Sequence, residues 1–243
     1  MSRFRNIASE RYLEHYARIN YSINAIERLG SRELKQLDLV YGDVLTSLPP
    51  ESKILDLGCG TGMFLYWLSK QPGIIPIGVD GSASQIEVAK RNLPHIDICC
   101  EDGLAYLRKH PNTFSGIYCL DVLEHIPDLD LCLEWVEAAR NALKLGGFFY
   151  CRVPNAANLT GTYSRYMDLT HERLFSSASL FQLLTLGGLE NCRIIPIKLP
   201  HLSGQVRLTI EDLLHKITFR ICGRGLEKTF TYNICAVGFK TGD

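Results

Sequence analysis

The stretch 53–62, KILDLGCGTG, constrains this chain more than any other part of it. Ile54, Leu55, Asp56 and Leu57 read as a buried strand, and Gly58, Gly60 and Gly62 follow at alternate positions, separated by Cys59 and Thr61. The apolar run Met63, Phe64, Leu65, Trp67 and Leu68 then reads as a helix. A strand that runs into closely spaced glycines ahead of a helix sets backbone N–H groups beside the strand's carboxyl end, where a nucleotide-like ligand can approach. The spacing divides the ligand classes. A dinucleotide fingerprint needs glycines at its first, third and sixth positions, but counted from Gly58 the sixth is Met63 and the fifth is Gly62, so the pyrophosphate reading weakens.

The rest of the chain supplies a matching scaffold. At 243 residues it suits one substantial core or an elaborated single domain. Basic and acidic residues balance at 26 each, which gives no global field to recruit nucleic acid. The nine cysteines form no paired CxxC clusters, and Cys99, Cys100, Cys119, Cys151 and Cys235 lie in or beside apolar runs; they read as free thiols in a reducing, cytoplasmic compartment. Charges interrupt the N-terminal residues, so no signal peptide is expected, and no apolar run is long enough to span a bilayer.

Residues 1–50 read as a helical cover. Tyr12, Tyr16, Ile19, Ile23, Ile26 and Leu29 form one stripe, and a second helix over 31–41 opens on a Ser31 cap. These helices either pack on the sheet edge or close over the ligand cleft, with Tyr12, Tyr16 and Tyr21 as lid contacts. From residue 51 onward strands and helices alternate. The second strand ends at Asp80, the third, over 94–100, ends at Glu101, Asp102 and Gly103, and the fourth, over 114–120, runs into DVLEH at 121–125. Pro127 is placed to open the next helix, the turn 144–147 ends it, and a fifth strand covers 148–154. A capped helix follows Ser176 or Ser177, a sixth strand covers 189–199, and a last strand covers 229–239.

These motifs, in this order over 53–155, resemble those of class I S-adenosylmethionine-dependent methyltransferases: the hh(D/E)hGxGxG turn, the acidic second-strand end, the DxxEH post-strand element and the LKxGG turn. The resemblance implies a Rossmann-like α/β fold with a seven-stranded, mostly parallel sheet flanked by helices, its last strand antiparallel. It implies S-adenosyl-L-methionine as cofactor, held by Asp56 near the amino group, the turn Gly58, Gly60 and Gly62, Asp80 at the ribose, and Asp102 with Gly103 at the adenine; Asp121 completes this set. Glu101 stands as the alternative to Asp102, and Asp80 has a second reading as a helix cap.

The segment 155–177 is dense in aromatic and charged groups, and its DxTHxxxF element resembles one found in bacterial methyltransferases acting on sugars or lipid-linked intermediates. Tyr166, Asp168, Glu172 and Arg173 are its acceptor-binding candidates. His125 and His171 are the candidate bases, because imidazole takes a proton near neutral pH. If 121–125 made a helical turn, Asp121, Glu124 and His125 would share one face, and His171 could join them to hold Mg²⁺ or another divalent ion. The helix over 209–224 carries an apolar stripe with Lys216, Arg220 and Arg224; it reads as sheet cover or as a stripe partly exposed at the inner membrane face.

The leading expectation is O-methylation of a sugar, glycan or lipid-linked small molecule. The alternatives are O-methylation of a quinone, phenolic or natural-product acceptor, and a noncatalytic adenosyl-ligand module that regulates a partner. The missing aromatic and proline-rich tetrapeptide after the fourth strand argues against amino-group acceptors. Nothing in the sequence sets the oligomeric state.

Overall fold

The computed structural model describes residues 29–242 apart from Leu226, together with Ile7, Glu14 and Ile26. The lid candidates Tyr12, Tyr16 and Tyr21 lie outside the described residues. The elements run α1 (Ser31–Tyr41), β1 (Ser52–Leu57), α2 (Met63–Leu68), β2 (Ile74–Asp80), α3 (Ala83–Asn92), β3 (Asp97–Cys100), α4 (Gly103–Lys109), β4 (Phe114–Leu120), α5 (Leu129–Ala142), β5 (Leu143–Pro154), α6 (Gly161–Met167), α7 (Ser177–Leu186), β6 (Glu190–Ile195), α8 (Leu202–Ile221) and β7 (Asn233–Phe239). Short 3₁₀ turns cover Asp43–Leu45 and Leu123–His125.

The sheet has seven strands in the order β3-β2-β1-β4-β5-β7-β6, and β7 runs antiparallel to both β5 and β6. The expected Rossmann-like architecture is borne out. Strand order reverses between β1 and β4, so the loops after these two strands diverge and leave a crevice at their carboxyl ends.

Alternation along the strands divides the core between the two faces. Leu55, Leu57, Ile117 and Phe149 pack with Val136 and Leu180 on one side, while Ile54, Tyr118 and Tyr150 pack with Phe64 and Trp67 on the other. On the second face α1 is pinned down by polar contacts that an apolar stripe does not announce. Tyr118 donates to the Tyr41 carbonyl at 2.6 Å, Tyr150 donates to that of Val40 at 2.9 Å, and the Trp67 indole donates to Asp38 at 2.8 Å. Cys59, Cys119, Cys132, Cys151 and Cys235 are buried free thiols used as packing groups.

Several boundaries differ from expectation for local reasons. Gly30, not Ser31, is the N-cap of α1, and no side chain caps it. Pro127 lies outside α5, because Asp128 captures the N–H groups of Asp130 and Leu131 and sets the helix start at Leu129. β5 begins directly after α5, since Leu143 pairs with Phe114 and the Gly146 N–H bonds the Lys240 carbonyl at 2.7 Å; the expected turn is absorbed as a register shift. β3 is confined to Asp97–Cys100, and β6 stops one residue before Pro196, which has no N–H to offer a ladder. For α8 the structure separates the two readings. Its apolar stripe does not cover the sheet: Ile210, Leu213, Leu214 and Ile217 face solvent.

Candidate active site

The glycine turn closes on itself through backbone and carboxylate bonds. Gly58 and Cys59 both donate to the Val79 carbonyl, at 2.8 and 3.0 Å, which locks the turn to the end of β2. Asp80 then bridges two loops, accepting from the Gly60 N–H at 3.0 Å on one oxygen and from the Ser82 N–H at 2.8 Å on the other. Its cap-like bond to Ser82 and its bond to the glycine turn coexist with further lone pairs, because a carboxylate can accept about four hydrogen bonds. Burial raises the Asp80 carboxyl above its ordinary range, and the two N–H donors oppose that rise.

Asp56 is buried directly beneath this turn, and its Oδ2 has no hydrogen-bond partner. Burial first, then the neighbouring Asp80, push its carboxyl up to about 8, against a lowering by Arg152. A buried carboxyl oxygen without a partner is costly when charged, which is why the group is held toward its neutral form and is free to take a donor. Gly58 has φ +84°, and a Cβ there would stand 2.4 Å from Val122, which shows how closely the glycine turn abuts the turn after β4. Asp102 caps α4 by accepting from the Ala105 N–H at 2.9 Å, while Gly103 leaves the space into which Trp135 packs.

Asp121 takes an unusual backbone, φ +57°, and does not share a helical face with Glu124 and His125. Its carboxylate forms a two-pronged pair with Arg152, whose Nε lies 2.9 Å from Oδ1, and the third guanidinium nitrogen, Nη1, donates to the Tyr41 hydroxyl at 2.6 Å. Burial disfavours the Arg152 charge, but Asp121 and Tyr41 outweigh it. The sequence reading does not single out Tyr41 or Arg152, which the fold brings against Asp121. The available signal was Arg152 itself, a lone cation inside the apolar strand FFYCRVP.

The segment after α6 folds over the 3₁₀ turn Leu123–His125. The N–H groups of Glu172 and Arg173 donate to the Glu124 carbonyl, and the Arg173 guanidinium donates to that of Pro127 at 2.6 Å. Of the acceptor-binding candidates, Arg173 is therefore a strut, Asp168 holds Thr170, Glu172 is exposed, and Tyr166 is exposed with Arg165 over its ring.

The two histidines are brought together, with ring centroids 4.7 Å apart. Thr170 Oγ1 donates to Asp168 at 2.6 Å, which uses its only proton, so at the 2.9 Å contact with His125 Nδ1 the ring nitrogen is the donor. His171 Nδ1 likewise donates to the Ser164 carbonyl at 2.7 Å. In each ring Nδ1 is the donor, which leaves Nε2 as the nitrogen that carries the lone pair of the neutral form. Burial, followed by the neighbouring His171, lowers the His125 pKa and so favours the neutral ring.

Glu124 is buried beside them with both carboxyl oxygens unpartnered, and burial first, then Asp121, raises it well above the ordinary range. One ligand atom from each of Glu124, His125 and His171 lies within 4.8 Å of the others. An orphaned carboxylate with two Nε2 lone pairs suits a divalent ion. Asp121, engaged by Arg152, is not part of this group.

A family model described as a methyltransferase domain matches residues 29–194. The chain belongs to the methyltransferase domain family. Among curated relatives of this methyltransferase is a ubiquinone biosynthesis O-methyltransferase of Saccharophagus degradans, 33% identical over 104 residues, covering 40% of this chain and 41% of that protein. A Shewanella protein of the same description is 23% identical over 84% of this chain and 81% of its own length. Among solved structures, a SAM-dependent methyltransferase from Archaeoglobus fulgidus superposes with TM-score 0.64 at 23% identity, covering 89% of this chain and 97% of that one. Phosphoethanolamine N-methyltransferase 2 of Haemonchus contortus, solved with S-adenosyl-L-methionine, has TM-score 0.64 at 15% identity over 95% of this chain and 60% of its own. The fold and family expected from the motifs are borne out.

Proposed function

We propose that the protein is an S-adenosyl-L-methionine-dependent O-methyltransferase whose acceptor carries a phenolic or quinol-type hydroxyl. The observation that carries this reading is the His125–His171 pair, two rings in contact where the segment after α6 meets the turn that follows β4, a turn whose Val122 abuts Gly58. When bound, the cofactor supplies an electrophilic methyl group on a sulfonium. Asp56, the glycine turn and Asp80 would hold it, with Asp102 and Gly103 at its adenine end. The chain's own residues then have two tasks: to hold the acceptor oxygen in line, and to take its proton at a histidine Nε2.

A neutral imidazole suits a phenol, whose pKa is about 10, better than a sugar hydroxyl, which is far less acidic. The curated relatives support the same choice by name, and the sugar or glycan acceptor expected first from the sequence has less behind it. Incubation with methyl-labelled cofactor and a panel of catechols, prenylated phenols and sugars is expected to label the phenols. Label confined to sugars or amines would refute the acceptor class.

The orphaned Glu124 favours a second reading, in which Glu124, His125 and His171 would hold a divalent ion in place of the base role, and the ion would supply Lewis acidity toward the acceptor hydroxyl. On this reading chelation abolishes turnover, Mn²⁺ or Mg²⁺ restores it, and Glu124→Gln raises the metal concentration needed about 10- to 100-fold. Full activity after exhaustive chelation would remove the ion and leave the histidines alone.

Asp56 makes cofactor binding depend on pH. Its carboxyl is raised to about 8 in the free protein, so it is mostly neutral at pH 7, and a cationic amino group placed on it favours ionisation. The sign follows: binding releases a proton, and affinity rises with pH between about 6 and 7.5, by up to about tenfold per unit. Calorimetry in buffers of different ionisation enthalpy measures this release. Asp56→Asn should weaken binding and flatten the dependence, and a pH-independent affinity for the native protein would contradict the assignment.

A further inference from the structure

α8 is attached to the body of the protein by a polar and aromatic seam. His215 is buried, accepts from the Leu159 N–H at 2.8 Å and stacks on Phe230 at 5.3 Å, while Glu211 accepts from Asn158 at 3.0 Å. Gly204 is the other buried position. Opposite this seam, Val206, Ile210, Leu213, Leu214, Ile217 and Ile221 form one continuous solvent-facing arc, from 47% exposed at Ile217 to 81% at Ile221. An amphipathic helix ordinarily turns its apolar side to the core. Here the polar side is docked and the apolar side is outermost.

The charges are sorted in the same way. At helical spacing Arg207 flanks one edge of the arc, and Lys216 and Arg220 flank the other. The acids lie toward the body: Glu211 is engaged by Asn158, and Asp212 pairs with Lys216 at 2.6 Å. Arg207 and Arg220 have no acidic partner among the described residues. An apolar arc with cations on both edges matches an anionic bilayer surface, where side chains enter the acyl boundary and the cations reach up to headgroups. A second copy of the chain fits less well, because a two-fold pairing of α8 with itself would bring the two cationic edges together. No described helix is long and apolar enough to cross a membrane.

We propose that the outer face of α8 docks the protein, in the plane of the interface, onto anionic phospholipid. Because α8 is bonded to Asn158 and Leu159, which lead into α6 and the acceptor-side segment, docking holds that segment beside the bilayer. Delivery of a lipid-borne phenolic acceptor from the membrane rests on the function proposed above; the docking itself rests only on α8.

Sedimentation of the full chain with phosphatidylcholine vesicles, with and without phosphatidylglycerol, tests docking without any acceptor. Binding is expected only to the anionic vesicles and should fall with added salt. Ile210→Glu with Leu214→Glu should abolish it, and Arg207→Glu with Arg220→Glu should weaken it about tenfold or more. Circular dichroism and cofactor affinity unchanged from the native protein establish that the variants are folded. No vesicle binding, equal binding to neutral vesicles, or a dimer in light scattering that Ile210→Glu dissociates would each overturn the proposal. A vesicle-binding protein that methylates no phenol would overturn only the acceptor reading.

Discussion

Asp80→Ala is expected to weaken S-adenosyl-L-methionine binding by about 100-fold, the loss of the two charge-assisted hydrogen bonds that the ribose hydroxyls would donate to it, at about 1.5 kcal/mol each. The carboxylate holds the Gly60 N–H and the Ser82 N–H at once, so it fixes the glycine turn against the start of α3 before any ligand arrives. Removing it leaves both donors without their partner and takes away the acceptor assigned to the ribose hydroxyls. Asp80→Asn keeps one acceptor oxygen and should fall between the two. Isothermal titration on protein shown to be folded measures the loss, and an affinity within threefold of the native protein for Asp80→Ala would sink the assignment. The turnover rate at saturating cofactor should change far less than the affinity, because Asp80 is proposed to bind the donor and not the acceptor.

The geometry of the glycine turn was legible because its signals are local. A strand that stops at an acidic residue and turns through glycine is written in a few consecutive positions, and the same positions carry the observed geometry at Asp56, Gly58 and Asp80. The histidine pair is assembled from segments far apart in sequence. That Thr170 orients His125, and that Ser164 orients His171, depends on how 161–173 folds back on 123–125, and no spacing rule encodes it. Asp121 misled for a related reason. Its distance from Glu124 suits a helix, but its backbone is left-handed and its charge is consumed by Arg152, thirty-one residues away. The stripe on α8 shows a further limit: helical periodicity specifies that residues share a face, and burial by a partner element must be known before that face can be called core.

His125→Ala and His171→Ala are expected to lower the rate of methyl transfer by about 10²- to 10⁴-fold, the range usual for loss of a positioned general base. The same variants should leave cofactor affinity within about threefold, since among the described residues no hydrogen bond or ring contact joins either histidine to the glycine turn or Asp80, and residues that share no partners act nearly independently. The rings are in contact and both present Nε2, so they act as one unit, and the double variant should be little worse than the weaker single one. Thr170→Val separates orientation from chemistry. It keeps both histidines but removes the acceptor that fixes the His125 tautomer, and it should cost about tenfold in single-turnover rate, within the range for a group that holds a reacting side chain. A divalent ion at the site needs the same Nε2 lone pairs, so loss of rate is expected with or without it; what differs is rescue. Added imidazole can replace a missing base in His171→Ala, whereas a ligand lost from an ion also shifts the metal concentration needed for half-maximal rate. Single-turnover kinetics at saturating cofactor, repeated across a metal titration, distinguish these outcomes. Equal loss of cofactor affinity and rate in all three variants would mean that the segment 161–173 supports the whole crevice and that neither histidine handles the proton.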